Sequence, residues 1–132
     1  MKVWMGLLGL VAGCGGAEIV ASSPLLVLAT YPGDGALVES GEDRLAFSFS
    51  EPIDEATLSG AVNAEELTLA GAPVRELSVS SVVYTQDTMT AVYQLPPMAT
   101  GVVYQVQLSA SQVVAESGAR LVADYTVRFQ AR

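Results

Sequence analysis

From Leu25 onward, apolar and polar residues alternate in short runs, the two-residue period of strands that bury one face. RLAFSFS (44–50) sets Leu45, Phe47 and Phe49 on one side and Ala46 and Ser48 on the other. VVYQVQL (102–108) groups Tyr104, Val106 and Leu108, and DYTVRF (124–129) groups Tyr125, Val127 and Phe129. LLVLAT (25–30), LSVSSVVYT (77–85) and TMTAVYQL (88–95) read as further strands. EELTLAGAPVREL (65–77) reads as strand, tight turn at Gly71-Ala72-Pro73, strand. Pro32-Gly33-Asp34-Gly35 spells another turn, and Gln86-Asp87 a hairpin tip. The one helical candidate is a turn at DEATLSG (54–60), where Asp54 caps the Glu55–Leu58 segment. About seven short strands at regular spacing predict an all-β fold, an antiparallel sandwich.

The first residues follow a different pattern. MKVWMGLLGLVA (1–12) carries one charge, Lys2, and then an apolar run of about ten residues, where a spanning helix needs about twenty. A charged start, a short apolar stretch and small residues describe a secretory signal. Ala12 and Gly13 lead directly into Cys14, the sole cysteine. A buried core cysteine is the competing reading, but Gly13-Cys14-Gly15-Gly16 offers it nothing to pack against. VAGC (11–14) resembles the lipobox of bacterial lipoproteins. The resemblance implies a diacylglycerol on the Cys14 sulfur, cleavage just before Cys14 and an N-acyl lipid on the new terminus. One chain of myristoyl size binds membranes marginally, at about 10⁴ M⁻¹, so two or three on one residue make a lasting anchor. The expected organisation is a signal peptide over 1–13, an acylated tether over 14–24 and a domain over 25–132. The tether GGAEIVASSP (15–24) is small and polar, with a reach of ~17 Å. The same resemblance implies the outer membrane where the host has two membranes, since Gly15 rather than Asp follows the cysteine.

Composition narrows the chemistry. Of 132 residues, 51% are hydrophobic and 15% charged, enough apolar material for one core. Fourteen acids against six bases give a formal net charge of -8, which repels phosphate and argues against nucleic acid as a partner. The chain has no histidine, and Lys2, Trp4 and Cys14 are the only residues of their types. Cleavage before Cys14 and acylation would leave a chain without lysine, tryptophan, histidine or free thiol. Such a chain lacks the usual activators of a nucleophile and the usual ligands of zinc, so no enzyme and no cofactor is expected. A carboxylate pair could cleave a glycoside in principle, but a single small sandwich offers little cleft for it.

The domain also resembles the bacterial Ig-like domain of the S-layer-protein type. The stretches that carry this are YPGDGALVESGEDRLAFSFSEPIDEATL (31–58), LPPMATGVVYQVQLS (95–109) and SGARLVADYTVRF (117–129). The resemblance covers about 25–129, nearly the whole expected domain, and implies an Ig-like β-sandwich working in the cell envelope. Two departures stand out. Ala115-Glu116-Ser117-Gly118-Ala119 replaces the family's Asp-x-x-Gly-Asn loop, and Met98 stands where Leu is usual. No Cys…Trp…Cys spacing exists after Cys14, which excludes an antibody-type core. PGDGALVESGEDRLAFSFSEPI (32–53) is also similar to the first half of periplasmic copper carriers. Those proteins hold copper largely through histidine, which is absent here, so the metal function is not expected to carry over.

Candidate site residues have competing readings. Glu51, Asp54 and Glu55 are oxygen donors suited to calcium, the weak metal candidate. Equally, Pro52 ends a strand, Ile53 plugs the core and Asp54 caps a turn; the spacing lacks a calcium loop's central Gly and terminal Glu. Glu65-Glu66 and the Glu39/Glu42/Asp43 group read as solvated loop and edge charge. Tyr31, Tyr84, Tyr93, Tyr104 and Tyr125 could stack on sugars, but their strand positions place most of them in the core or at its rim. By analogy with tyrosine corners, Tyr104 is a candidate hydrogen-bond post. The expected partners are a membrane, through the lipid anchor, and an envelope protein or polysaccharide met by the sandwich surface.

Overall fold

The computed structural model describes residues 23–132. Among them are nine strands: β1 (Val27–Tyr31), β2 (Leu37–Val38), β3 (Arg44–Phe49), β4 (Val62–Leu67), β5 (Pro73–Leu77), β6 (Ser81–Thr85), β7 (Thr90–Gln94), β8 (Val103–Leu108) and β9 (Tyr125–Ala131). They form two sheets, of order β2-β9-β8-β4-β5 and β1-β3-β7-β6. The expected signal peptide and most of the expected tether, Cys14 included, lie outside the described residues.

The predicted alternation is the packing pattern. Leu45, Phe47 and Phe49 from β3, Tyr104, Val106 and Leu108 from β8, and Val127 and Phe129 from β9 are all buried. Each such side chain contributes roughly 1.5–3 kcal/mol of apolar burial. Phe47 meets Tyr93 edge-on at 6.0 Å, and Tyr104 stacks on Phe129 at 5.8 Å. Among the described residues, no polar or charged residue is buried other than the tyrosines Tyr93 and Tyr104. Both of those hydroxyls are bonded to main chain.

The structure differs from the sequence expectation at four places. Nine strands replace about seven, partly because β2 is too short to show a period. The sandwich is not wholly antiparallel, since β2 pairs with β9 in parallel. Asp34 causes this: its Oδ1 accepts the Arg128 N–H at 2.9 Å while Gly35 N–H donates to Arg128 O at 2.7 Å. Those bonds pull the turn away from β1 and onto the opposite sheet. LSVSSVVYT is not one strand. The chain leaves one sheet at Leu77 and enters the other at Ser81. Finally, Glu65 and Glu66 sit in β4, which has β8 and β5 on either side, not in a loop or on an edge. Their charges are accommodated by Gln105, which donates to Glu65 at 3.2 Å, and Arg75, which meets Glu66 at 2.7 Å.

Candidate functional site

The carboxylate loop between β3 and β4 is the densest chemistry the sequence offers. Its backbone forms a 3-10 turn over Glu55–Thr57, with Asp54 as the N-cap: Oδ1 accepts the Ala56 N–H at 3.2 Å. Asp54 O also accepts the Thr57 hydroxyl at 2.7 Å, and Asp54 N–H donates to Val114 O at 2.9 Å. Glu51 Oε1 accepts the Ser117 hydroxyl at 2.5 Å. Glu55 is exposed. Among the described residues, no three His, Cys, Asp or Glu converge closely enough to hold a metal ion, so Glu51, Asp54 and Glu55 do not form a common donor set.

These contacts also explain how the chain manages without the family's Asp and Asn in its late loop. Ser117 holds that loop to Glu51, Ile53 bridges to Ala115, and Thr57 Oγ1 accepts the Val114 N–H at 3.1 Å. The two loops are one latched unit closing an end of the sandwich.

Three tyrosines are structural posts. Tyr84 Oη accepts the Ile53 N–H at 2.9 Å, Tyr93 Oη donates to Leu58 O at 2.9 Å, and Tyr104 Oη accepts the Ala99 N–H at 2.7 Å. The corner-like role expected of Tyr104 is what the geometry gives. Burial raises the Tyr93 phenol above its ordinary range, because the anion would lose its water. Tyr125 is half buried and Tyr31 half exposed, so the five rings do not make one stacking platform.

The remaining acids also divide. Glu39 makes an exposed ion pair with Arg132 at 3.0 Å. Glu42 is half buried, 3.8 Å from Arg44, with one carboxylate oxygen lacking a hydrogen bond. The Glu42 and Asp43 carbonyls accept the N–H groups of Met98 and Leu95, both at 2.8 Å. Arg75, beside Glu66, has its pKa raised by that hydrogen bond and charge.

Concave features are modest. A cleft of ≈280 Å³ opens between the sheets where β5 crosses to β6, lined in part by Asn63, Glu76, Val79, Ser80 and Tyr93. A groove of ≈370 Å³ lies beside β2, next to Asp34, Leu37, Val103 and Arg128. Pockets for small molecules run from roughly 300 to 1,000 Å³ with converging polar groups. In the groove, Asp34 already spends one carboxylate oxygen on Arg128 N–H.

The outer faces of the two sheets differ more. The five-stranded sheet presents Glu76, Glu65, Gln105 and Arg128 as one cross-strand row. The four-stranded sheet presents Tyr31, Ala46, Val92 and Val83 in one row and Ala29, Ser48, Thr90 and Thr85 in the next. No charge lies in either row. Sequence reading missed this face. Its signal was the uncharged stretch 77–86 in an acidic chain, whose meaning depends on which strands become neighbours.

A family model described as "Bacterial Ig-like domain" matches residues 21–131. The comparison with curated proteins found no match. Among solved structures, PcoC, a copper resistance protein from Escherichia coli, superposes with a TM-score of 0.63 at 13% identity, covering 81% of this chain and 99% of that one. CopC from Methylosinus trichosporium OB3b gives 0.53 at 15% identity, covering 81% and 92%. The S-layer protein rSbsC gives 0.56 at 20% identity, covering 82% of this chain but 14% of that one. At these identities the likeness is one of fold.

Proposed function

The chain belongs to the bacterial Ig-like domain family, and we propose that it is a lipid-anchored module of the cell envelope that acts by surface contact and not by catalysis. The observation that carries this reading is the division of labour in the domain. Its interior is apolar apart from tyrosines bonded to main chain, and its carboxylate loop is occupied with holding the fold together. Chemistry needs a group held ready and unspent, whereas contact needs a rigid surface, and sandwich faces and edges supply one.

The VAGC motif supports the anchor, with Cys14 carrying the lipid and residues 15–24 acting as a short leash. Envelope proteins and polysaccharides are the partner classes within reach of a domain so held. Copper, which belongs to the description of PcoC, is left with that protein: this chain has no histidine to offer it.

The test has two arms. Wild-type chain and Cys14→Ala are expressed in a bacterial host with labelled palmitate, and membranes are separated. Label and membrane attachment in the wild type, both lost in Cys14→Ala, are expected; a soluble, unlabelled wild type overturns the anchor. Crosslinking in intact cells then asks for an envelope component recovered reproducibly with the wild type. Its absence counts against contact as the function.

A further inference from the structure

We infer that the edge of β6, free among the described residues, is a homodimer interface, at which two copies of this chain join their four-stranded sheets across a two-fold axis at Val83. A sheet edge is a template for further strands, and proteins commonly guard it with charge, proline, bulges or brevity. Three of the four edges here are guarded. β1 has a register shift at Val27/Ala29 and runs into Pro32. β2 has two residues. β5 starts with Pro73, carries Arg75 and Glu76, and is bulged against β4.

β6 has none of these. Its five residues pair with β7 in unbroken register, and the chain from Leu77 to Gln86 holds no charge and no proline. Val83 at its centre is 65% exposed.

Phe49 N–H donates to Met89 O, and Leu95 N–H to Asp43 O, so Ala91 and Tyr93 of β7 turn their backbone groups to β3. Thr90, Val92 and Gln94 therefore serve β6, where they occupy Ser81, Val83 and Thr85. The N–H and C=O groups of Val82 and Tyr84 point away from the sheet and, among the described residues, meet no other strand.

The occupant that fits is a second copy. Antiparallel pairing centred on Val83 sets Val82 opposite Tyr84, Ser81 opposite Thr85, and Val83 opposite itself. The two open residues of each strand then face each other and exchange about four main-chain hydrogen bonds. Val83 meets its symmetry mate as a non-hydrogen-bonded pair, where side chains come closest. The row Tyr31-Ala46-Val92-Val83 continues without a charge into its own image. Charge also favours this arrangement: a chain of net charge -8 repels itself across its acidic surfaces, but along the paired strands Asp87 falls opposite Val79 and no two carboxylates face each other. The inference does not depend on the anchor or on an envelope partner.

The test is sedimentation of the full chain over a wide concentration range, with amide exchange read at Val82 and Tyr84. A dimer that dissociates on dilution, with both amides slow only in the dimer, is expected. Val83→Lys places like charges at the axis and should weaken dimerisation about tenfold or more while leaving the melting temperature of the monomer unchanged. In a Cys14→Ala background, Val83→Cys should form a disulfide-linked dimer under mild oxidation and Val74→Cys on β5 should not. A monomer at every concentration overturns the proposal, as does a dimer indifferent to Val83→Lys. Slow exchange in a monomer also overturns it, and would assign the edge to a segment of the same chain.

Discussion

The hydroxyl of Tyr84, on edge strand β6, accepts the main-chain N–H of Ile53 at 2.9 Å, tying the rim of one sheet to the loop that caps the sandwich. Ile53 is buried beneath that loop, so its N–H has no ready alternative partner. Tyr84→Phe keeps the ring and removes the acceptor, leaving a donor unmet. The expected cost is ~1–2 kcal/mol, the lower part of the range for a group stripped of its partner, because the site is only part-buried. Urea unfolding at neutral pH reads it directly. A midpoint identical to wild type would mean that the bond carries no weight.

Tyr93 supplies a pH signature. Its phenol is held above the ordinary range by burial, while in the unfolded chain it titrates near 10. Below pH ~10 both states keep the proton and stability does not depend on this group. Above it only the unfolded chain releases the proton, so the folded state loses about 1.4 kcal/mol for each further pH unit. Denaturation midpoints followed from about pH 9 to 12 should fall, and Tyr93→Phe should flatten part of that fall. The same variant leaves Leu58 O without its partner, at ~1–3 kcal/mol near pH 7.

The parts of this fold legible in the sequence are those fixed within a few residues. The Leu45/Phe47/Phe49 face, the Asp54 cap and the Gly71 turn each follow from local periodicity or local hydrogen bonding. What was not legible depends on distant partners. Leu37-Val38 becomes a strand because Asp34 reaches Arg128, ninety-four residues away. Glu65 and Glu66 sit inside a sheet because Gln105 and Arg75 arrive beside them. The open edge of β6 is not a property of SVVYT at all, but of the strand order that leaves it last.

The carboxylate loop makes a sharp prediction about cations. Glu51 is engaged by Ser117 and Asp54 by its own turn, so added calcium should find no prepared cage. A calcium concentration a hundred times a site's Kd would add ~2.7 kcal/mol, which moves the melting temperature of a domain this size by several degrees. Melts with calcium and with chelator are expected to coincide. A chelator-sensitive rise, lost in Asp54→Asn, would establish a calcium site there.

Gly71 closes the β4–β5 hairpin with a φ of +91°, where its N–H donates to Thr68 O at 2.8 Å. A Cβ at this position would meet Arg128 Nη1 at 3.2 Å. Gly71→Ala therefore faces two penalties, the left-handed backbone and the crowded guanidinium. The backbone term is ~1–2 kcal/mol for an L-residue. The crowding term should be smaller, because a guanidinium at the end of a flexible side chain can yield, although Gln105 Oε1 accepts from Nη2 at 2.6 Å and resists the shift. The two separate in a double-mutant cycle with Arg128→Ala. If backbone strain dominates, the cost of Gly71→Ala persists in the Arg128→Ala background. Gly71→Asn, which tolerates the left-handed region better, should then cost less than Gly71→Ala. If Arg128→Ala instead restores most of the stability, the guanidinium is the rigid element and its bond to Gln105 is what fixes the hairpin over the sheet.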